Sequence, residues 1–206
     1  MSEASQPAAR SLEVARAPDG PAAQPLCVRD SVEADLPVIE AIYSHHVRHG
    51  RGSFELEPPS LAEIARRRQD VLGNGFVHLV AERDREVLGF AYFNYFRLRP
   101  AYRFTVENSV YVRPGLQRAG VGRVLLEALI ARAEALGVRQ IIAVIGDSGN
   151  TGSIGLHASC GFRFAGVLRA SGWKFDRWLD TVLMQREIGL ADRSAPVEYP
   201  GRSDEV

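Results

Sequence analysis

The chain has 206 residues, 46% of them apolar, which suits one domain with a normal core. Lys plus Arg balances Asp plus Glu at 25 each, so no net field draws the protein to nucleic acid or an anionic membrane. No apolar run approaches membrane-spanning length, and the two distant cysteines, Cys27 and Cys160, form no CxxC pair. These cysteines argue against a disulfide framework or a metal site and for a reducing compartment. With no hydrophobic signal segment at the start, a soluble cytoplasmic protein is the expectation.

Residues 1–25 are rich in Ala, Pro, Ser and Gln and carry almost no bulky apolar side chain before Leu26. They cannot bury enough surface to offset ordering entropy and read as a disordered leader. Arg10 and Arg16 would suit a transit peptide, but Glu3, Glu13 and Asp19 count against one. The folded part is 26–188, followed by a polar tail over 189–206. Leu26–Arg29 reads as a short strand. Asp30 or Ser31 caps a helix over Val32–Val47, with Leu36, Ile39, Ile42 and Tyr43 at helical spacing. After a loop holding Ser53, Phe54 and Glu55, Pro58-Pro59-Ser60 opens a second helix to Leu72. Strands over Phe76–Glu82 and Val87–Tyr95 form a hairpin around Arg83–Glu86. A strand over Phe104–Val112 leads to a helix over Val121–Leu136, which Gly137 ends. Gln140–Ile145 is an apolar strand of the buried type and Ser153–Cys160 a helix. Phe162–Leu168 and Trp178–Arg186 are two last strands around the turn Trp173–Asp176. The order is β-α-α-β-β-β-α-β-α-β-β.

The Gly-rich turn Gln117-Arg118-Ala119-Gly120-Val121-Gly122 stands between an acid-bearing strand and an amphipathic helix. Such a turn leaves backbone N–H groups unpaired at the positive end of the helix dipole, a receptacle for phosphate or pyrophosphate. A dinucleotide fingerprint wants a third glycine where Leu125 stands and a position in the first β-α-β unit; a P-loop wants Gly-Lys-Ser/Thr. Neither pattern is present.

The run Gln117-Arg118-x-Gly120-x-Gly122, after an acidic strand and before a long helix, resembles the acyl-CoA signature of the GNAT superfamily of N-acetyltransferases. The segments TVENSVYV (105–112), AVIG (143–146), IGLHASCGF (154–162), LRASGWKF (168–175) and RWLDTVLMQ (177–185) resemble, more narrowly, its phosphinothricin and methionine sulfone/sulfoximine acetyltransferase subfamily. The resemblance spans about Leu26 to Ile188. It implies an α+β, three-layer fold with a mixed sheet of about seven strands and four helices, splayed between the fourth and fifth strands. It further implies that acetyl-CoA lays its pyrophosphate on the amides of Arg118, Ala119, Gly120, Val121, Gly122 and Arg123. The pantetheine arm would pair with the backbone of Val110, Tyr111 and Val112, with Asn150 touching the cofactor. Asn150 reads equally as a helix cap.

Acetyl transfer to an amine needs a base, and Glu107 is the best candidate. It shares a strand face with Thr105, Ser109 and Tyr111, opposite Phe104, Val106, Val110 and Val112. Partial desolvation there raises a carboxyl pKa toward usefulness. Backbone N–H groups of 109–112 suit the carbonyl oxygen. His157 is the candidate acid for the departing thiolate or, alternatively, a packed histidine; Tyr111 is a weaker acid. Cys160 is a small core residue. Within the basic, aromatic stretch 95–103, alignment to the subfamily implies that Arg97, Tyr102 and Arg103 line or border the acceptor pocket, where guanidinium forks suit an amino-acid-like anion; the stretch reads equally as a solvated loop whose arginines face water. Phe54, Glu55, Lys174 and Trp178 are expected to close the site from the other side. His45, His46 and His49 lack accompanying ligands, so no metal is expected.

The resemblance implies an N-acetyltransferase acting on the free amine of a phosphinothricin-like or methionine sulfone-like molecule, and a homodimer, with no nucleic-acid or membrane partner. Two alternatives stand beside it. One is a related enzyme acetylating an antibiotic, a polyamine or a protein N-terminus; the other is a catalytically silent acyl-CoA-binding module.

Overall fold

The structure is a computed structural model that describes residues 24–196. Of the expected leader and tail, residues 1–23 and 197–206 lie outside the described residues. Seven strands make one sheet: β1 (Cys27–Asp30), β2 (His78–Arg83), β3 (Glu86–Tyr95), β4 (Thr105–Val112), β5 (Gln140–Gly146), β6 (Arg163–Lys174) and β7 (Arg177–Glu187). Their spatial order is β1-β2-β3-β4-β5-β7-β6. Every neighbouring pair is antiparallel except β4 and β5. Helices α1 (Leu36–His49) and α2 (Leu61–Gly73) cover one face; α3 (Val121–Ala135) and α4 (Thr151–Ser159) cover the other. This is the mixed, three-layer architecture the sequence leads one to expect.

Two cores follow from strand alternation, shifted by one residue at a bulge of β3 opposite Ala81/Glu82. On β3, Val87 and Phe90, on either side of that bulge, both join the core under α1 and α2 with Ile39, Ile42, Val47 and Ile64. Leu88, Ala91 and Phe93 point the other way and join Val106, Ile141, Leu125, Leu126 and Leu129 under α3. β4 follows the same rule, with Val106 under α3 and Tyr111 against α1.

Several boundaries differ from the sequence expectation, each for a local reason. The cap of the first helix is neither Asp30 nor Ser31. A 3₁₀ turn, Glu33–Asp35, precedes α1, and the Asp35 carboxylate accepts the Val32 N–H at 2.8 Å. Arg29 holds that carboxylate in a fork at 2.7 and 2.9 Å, pulling its pKa below the usual range, and Asp35 is buried. The β2–β3 turn is the two residues Asp84-Arg85, both at positive φ, as a tight hairpin with the sheet's twist requires. The α4 helix begins at Thr151, two residues before the expected Ser153, because Asn150 Oδ1 accepts the Ser153 N–H at 3.2 Å. β6 runs to Lys174 rather than Leu168, with register shifts at Phe164/Gly166 and Leu168/Gly172, and only Phe175-Asp176 form the turn. Those bulges break the two-residue alternation and disguise the second half of the strand. Beyond β7, Ala191 is buried and Arg139 donates to its carbonyl at 3.3 Å.

Phe93 is fully enclosed in the larger core. Phe93→Ala is expected to cost about 3–5 kcal/mol of stability, read as a lower denaturant midpoint with an unchanged slope.

Candidate active site

The sheet opens in its middle. β4 and β5 pair only over Thr105↔Gln140 to Asn108↔Ala143. Past that point β4 stays with β3 as far as Val112↔Gly89, while β5 stays with β7 as far as Gly146↔Thr181. The facing edges of Ser109–Val112 and Val144–Gly146 therefore have no ladder partner in each other. The Arg113 N–H donates to the Leu88 carbonyl at 2.8 Å, and backbone direction alternates along an antiparallel strand. The N–H and C=O of Tyr111 thus face β3, and those of Val110 and Val112 face the opening. His46 Nε2 lies 2.8 Å from the Val112 carbonyl oxygen and must be the donor, since a carbonyl only accepts.

The Gly-rich turn adjoins this opening. Gly120 precedes α3 at φ +82, a left-handed conformation that glycine adopts without penalty, and Arg118 shares that region at φ +66. The first helical bond runs from Val124 N–H to the Gly120 carbonyl, so the N–H groups of Gly120, Val121, Gly122 and Arg123 precede the ladder at the positive end of a 15-residue helix. A Cβ on Gly122 would stand 3.0 Å from Leu156 Cδ2 and 3.5 Å from Val112 Cγ2. The amide row therefore sits tightly against α4 and the end of the open edge of β4.

On the α1–α2 face the opening leads into a cleft of about 420 Å³ lined by Tyr43, the 52–55 loop, Tyr92, Glu107, Ser109, Tyr111, Val144, Gly146 and Thr181. Burial pushes the Glu107 carboxyl above its ordinary pKa, and the charge of Arg97 pulls weakly the other way. Burial likewise raises Tyr92 and Tyr111, and takes Tyr43 up to about 12, so the phenols around Glu107 stay protonated.

The 50–55 loop is clamped over the cleft by the far end of the sheet. Lys174, buried, donates to the carbonyls of Gly50 at 3.1 Å and Ser53 at 2.7 Å, and burial lowers its pKa. Arg51 pairs with Asp147 at 2.7 Å. The loop can lie this close because Gly146 has no side chain; a Cβ there would stand 2.5 Å from the Arg51 carbonyl oxygen and 2.9 Å from the Phe54 ring. Gly172 faces the same ring, and a Cβ there would collide with it. Glu55 accepts from the Tyr43 hydroxyl at 2.9 Å and from Arg67 at 2.7 Å.

The other expected residues fall as follows. Arg97 is exposed, stacks over Phe96 and acts on Glu107 through space. Tyr102 and Arg103 are exposed on a 3₁₀ turn, packed on Phe96 and Phe104 respectively, away from the residues lining the cleft. Asn150 caps α4. Trp178 is exposed against Trp173. Cys160 is buried and free. His157 is buried, with Nδ1 2.8 Å from the Ser153 carbonyl and Nε2 2.9 Å from Asn108 Nδ2. The carbonyl accepts and the amide nitrogen donates, so the ring is the neutral Nδ1–H tautomer with both nitrogens engaged. Among the described residues no three His, Cys, Asp or Glu side chains converge as a metal set. Sequence reading missed Tyr43, Tyr92, Thr181 and Gly146 as cleft residues and Asn108 as the His157 partner; it expected Lys174 to help close the site but not its bonds to the Gly50 and Ser53 carbonyls. Only Asn108, a polar residue among the valines on one face of β4, left a visible sign.

Comparison with known proteins identifies the family. Residues 39–162 match the model of the acetyltransferase (GNAT) family. The chain is 56% identical over 169 residues to a phosphinothricin N-acetyltransferase of Alcaligenes faecalis, covering 82% of this chain and 84% of that protein. It is 42% identical over 175 residues to an L-methionine sulfoximine/L-methionine sulfone acetyltransferase of Pseudomonas paraeruginosa, covering 82% and 98%. The crystal structure of a phosphinothricin acetyltransferase of Sinorhizobium meliloti in complex with AcCoA superposes with a TM-score of 0.83 at 44% identity, covering 86% and 99%.

Burial lowers the His157 pKa below its ordinary 6.5. Its neutral form is therefore favoured by folding: this contribution is present above pH 6.5 and lost as pH falls through the depressed value. Nitrogen-detected NMR is expected to show a neutral Nδ1–H ring at pH 6.5, and an ordinary titration midpoint would contradict the geometry.

Proposed function

The chain belongs to the acetyltransferase (GNAT) family, and on that premise we propose that it moves an acetyl group from acetyl-CoA to the free amine of a small amino-acid-like acceptor. Phosphinothricin, methionine sulfone and methionine sulfoximine are the acceptors indicated by the named relatives. The observation that carries the reading is continuity. Four unpaired amides at the start of α3 adjoin an open strand edge, and that edge leads to a half-buried carboxyl of raised pKa in a cleft.

The residues present fit the cofactor. The N–H groups of Gly120 to Arg123, with the Arg118-Ala119 turn before them, would receive the diphosphate. The backbone groups of Val110 and Val112 would pair with the amide-bearing arm, as an added strand pairs with a sheet edge; Tyr111 serves through its side chain, since its amide faces β3. Asn150 serves by starting α4 beside that path. When bound, acetyl-CoA supplies the thioester that is attacked. Glu107 takes the proton from the incoming amine, directly or through a water. An outward-facing backbone N–H of β4 steadies the carbonyl oxygen as charge grows on it. A thiol of pKa about 8.5 leaves with modest help; His157, the candidate acid, would have to release its Nδ1–H from the Ser153 carbonyl to supply that proton. Arg97, whose charge reaches Glu107, would meet the acceptor's anionic group; Tyr102 and Arg103, packed on Phe96 and Phe104 outside the cleft lining, would act only at its outer approach. A cytoplasmic location is part of the proposal; Cys27 and Cys160 are both free thiols.

A homodimer is proposed as well. β6 is an edge strand, and its hairpin with β7 exposes Phe164, Leu168, Trp173, Phe175 and Trp178. A cluster of that size on an open edge is a self-association surface.

Glu107→Gln is expected to lower kcat by roughly 10²–10⁴-fold while acetyl-CoA affinity holds, and to erase the acidic limb of the kcat–pH profile. Release of free CoA on addition of methionine sulfone measures it; near-normal turnover would remove Glu107 from the role. Light scattering on the purified protein is expected to give the mass of two chains, and Trp178→Glu to shift it toward one.

A further inference from the structure

The cleft wall holds a second carboxylate whose position the reaction as described does not use. Glu55 Oε1 takes both the Tyr43 hydroxyl and the Arg67 guanidinium. Its Oε2 takes no hydrogen bond from the described residues, and its side chain keeps 34% exposure, so one oxygen is anchored and the other reachable. Its own loop is held rigidly, by Lys174 on the Gly50 and Ser53 carbonyls and by Arg51 on Asp147. Glu55 and Glu107 line one cleft and both act on Tyr92 through space. Among the lining residues there are these two carboxylates, several hydroxyls and no cationic side chain. Of the nearby cations, Arg67 is divided between Glu55 Oε1 and Glu63, leaving Oε2 to a ligand, and Lys174 donates to carbonyls.

An amino-acid amine reaches the enzyme mainly as an ammonium, carrying three N–H donors and a positive charge. One proton must be surrendered to a base, and another N–H can be held by an acceptor that stays ionised. Resting on the acetyl-transfer reading, we propose that Glu55 is a positioning residue of the acceptor site. Its free carboxylate oxygen receives the ammonium and keeps hold of one N–H while Glu107 removes another, so the N–H bond broken at Glu107 leaves its electron pair on a nitrogen held within the cleft beside the opening between β4 and β5. Arg97, outside the cleft lining but close enough to act on Glu107, would meet the acceptor's carboxylate. The site then selects zwitterionic α-amino acids by opposite charges at its two ends.

The test separates the amine from the rest of the acceptor. L-methionine sulfone and its des-amino analogue, 4-(methylsulfonyl)butanoate, are titrated calorimetrically into wild type and Glu55→Gln, each saturated with CoA. Glu55→Gln is expected to weaken the amino compound by about ten- to a hundredfold, the worth of a hydrogen bond to a charged group, and to leave the des-amino analogue unchanged. In turnover the acceptor KM rises by that factor while the KM for acetyl-CoA stays put. An unchanged ratio of the two affinities overturns the assignment. Loss of affinity for acetyl-CoA would mark a collapsed loop, and Glu55→Asp then decides: with its charge kept, it must still prefer the amino compound, and equal affinities would overturn the proposal. Wild type that releases no CoA with any amine sinks the acetyl-transfer reading itself, whereas active wild type with an indifferent Glu55→Gln sinks only the role of Glu55.

Discussion

The structure depends on the point at which β4 and β5 stop pairing. Two parallel strands that share a ladder through Asn108↔Ala143 and then part leave backbone groups at the centre of a sheet with no partner in the neighbouring strand. Such groups are costly in an interior, so both strands must be held from their outer sides. The long antiparallel ladders β3–β4 and β5–β7 do this. The opening is thereby kept as a permanent feature of the sheet, with the Val112 carbonyl met by His46 from α1.

Everything near the opening is arranged by that geometry. The start of α3 abuts the end of β4 because Gly122 lets Leu156 and Val112 close on it. The 50–55 loop crosses the other side because Gly146 and Gly172 leave room for its backbone and for Phe54. The buried Lys174 then ties the loop to the end of β6 with two hydrogen bonds, although the two segments lie more than a hundred residues apart. This loop helps to shield the cleft from solvent, and burial raises the Glu107 carboxyl. The shift at Glu107 therefore has its origin in residues far away in the chain.

Glu107 and the Asn108–His157 pair lie on opposite faces of β4. Glu107 is mounted on a strand whose alternation fixes its direction, so its face could be told from its neighbours. His157 is mounted on a short helix and meets Asn108; burial favours its neutral state, and the Ser153 carbonyl and the Asn108 amide fix which nitrogen carries the proton. Arg97, Tyr102 and Arg103 were expected together, but the chain turns through 3₁₀ geometry at Pro100–Tyr102 and spreads them over its outer surface. Only the electrostatic reach of Arg97 arrives at the carboxyl.

The order of strands and helices, the two faces of β4, the amide row before α3 and the carboxylate at 107 were all legible in the residues. Each rests on local periodicity or local turn chemistry, which adjacent residues dictate. The cap at Asp35, the bulged length of β6, the clamp of Lys174, the anchoring of Glu55 by Tyr43 and Arg67, and the Asn108–His157 pair were not. They arise between segments brought together by folding, and in the bulges periodicity itself is broken. Local sequence determines which elements form and which way their side chains point. Tertiary packing alone decides which of those side chains meet, and at what dielectric.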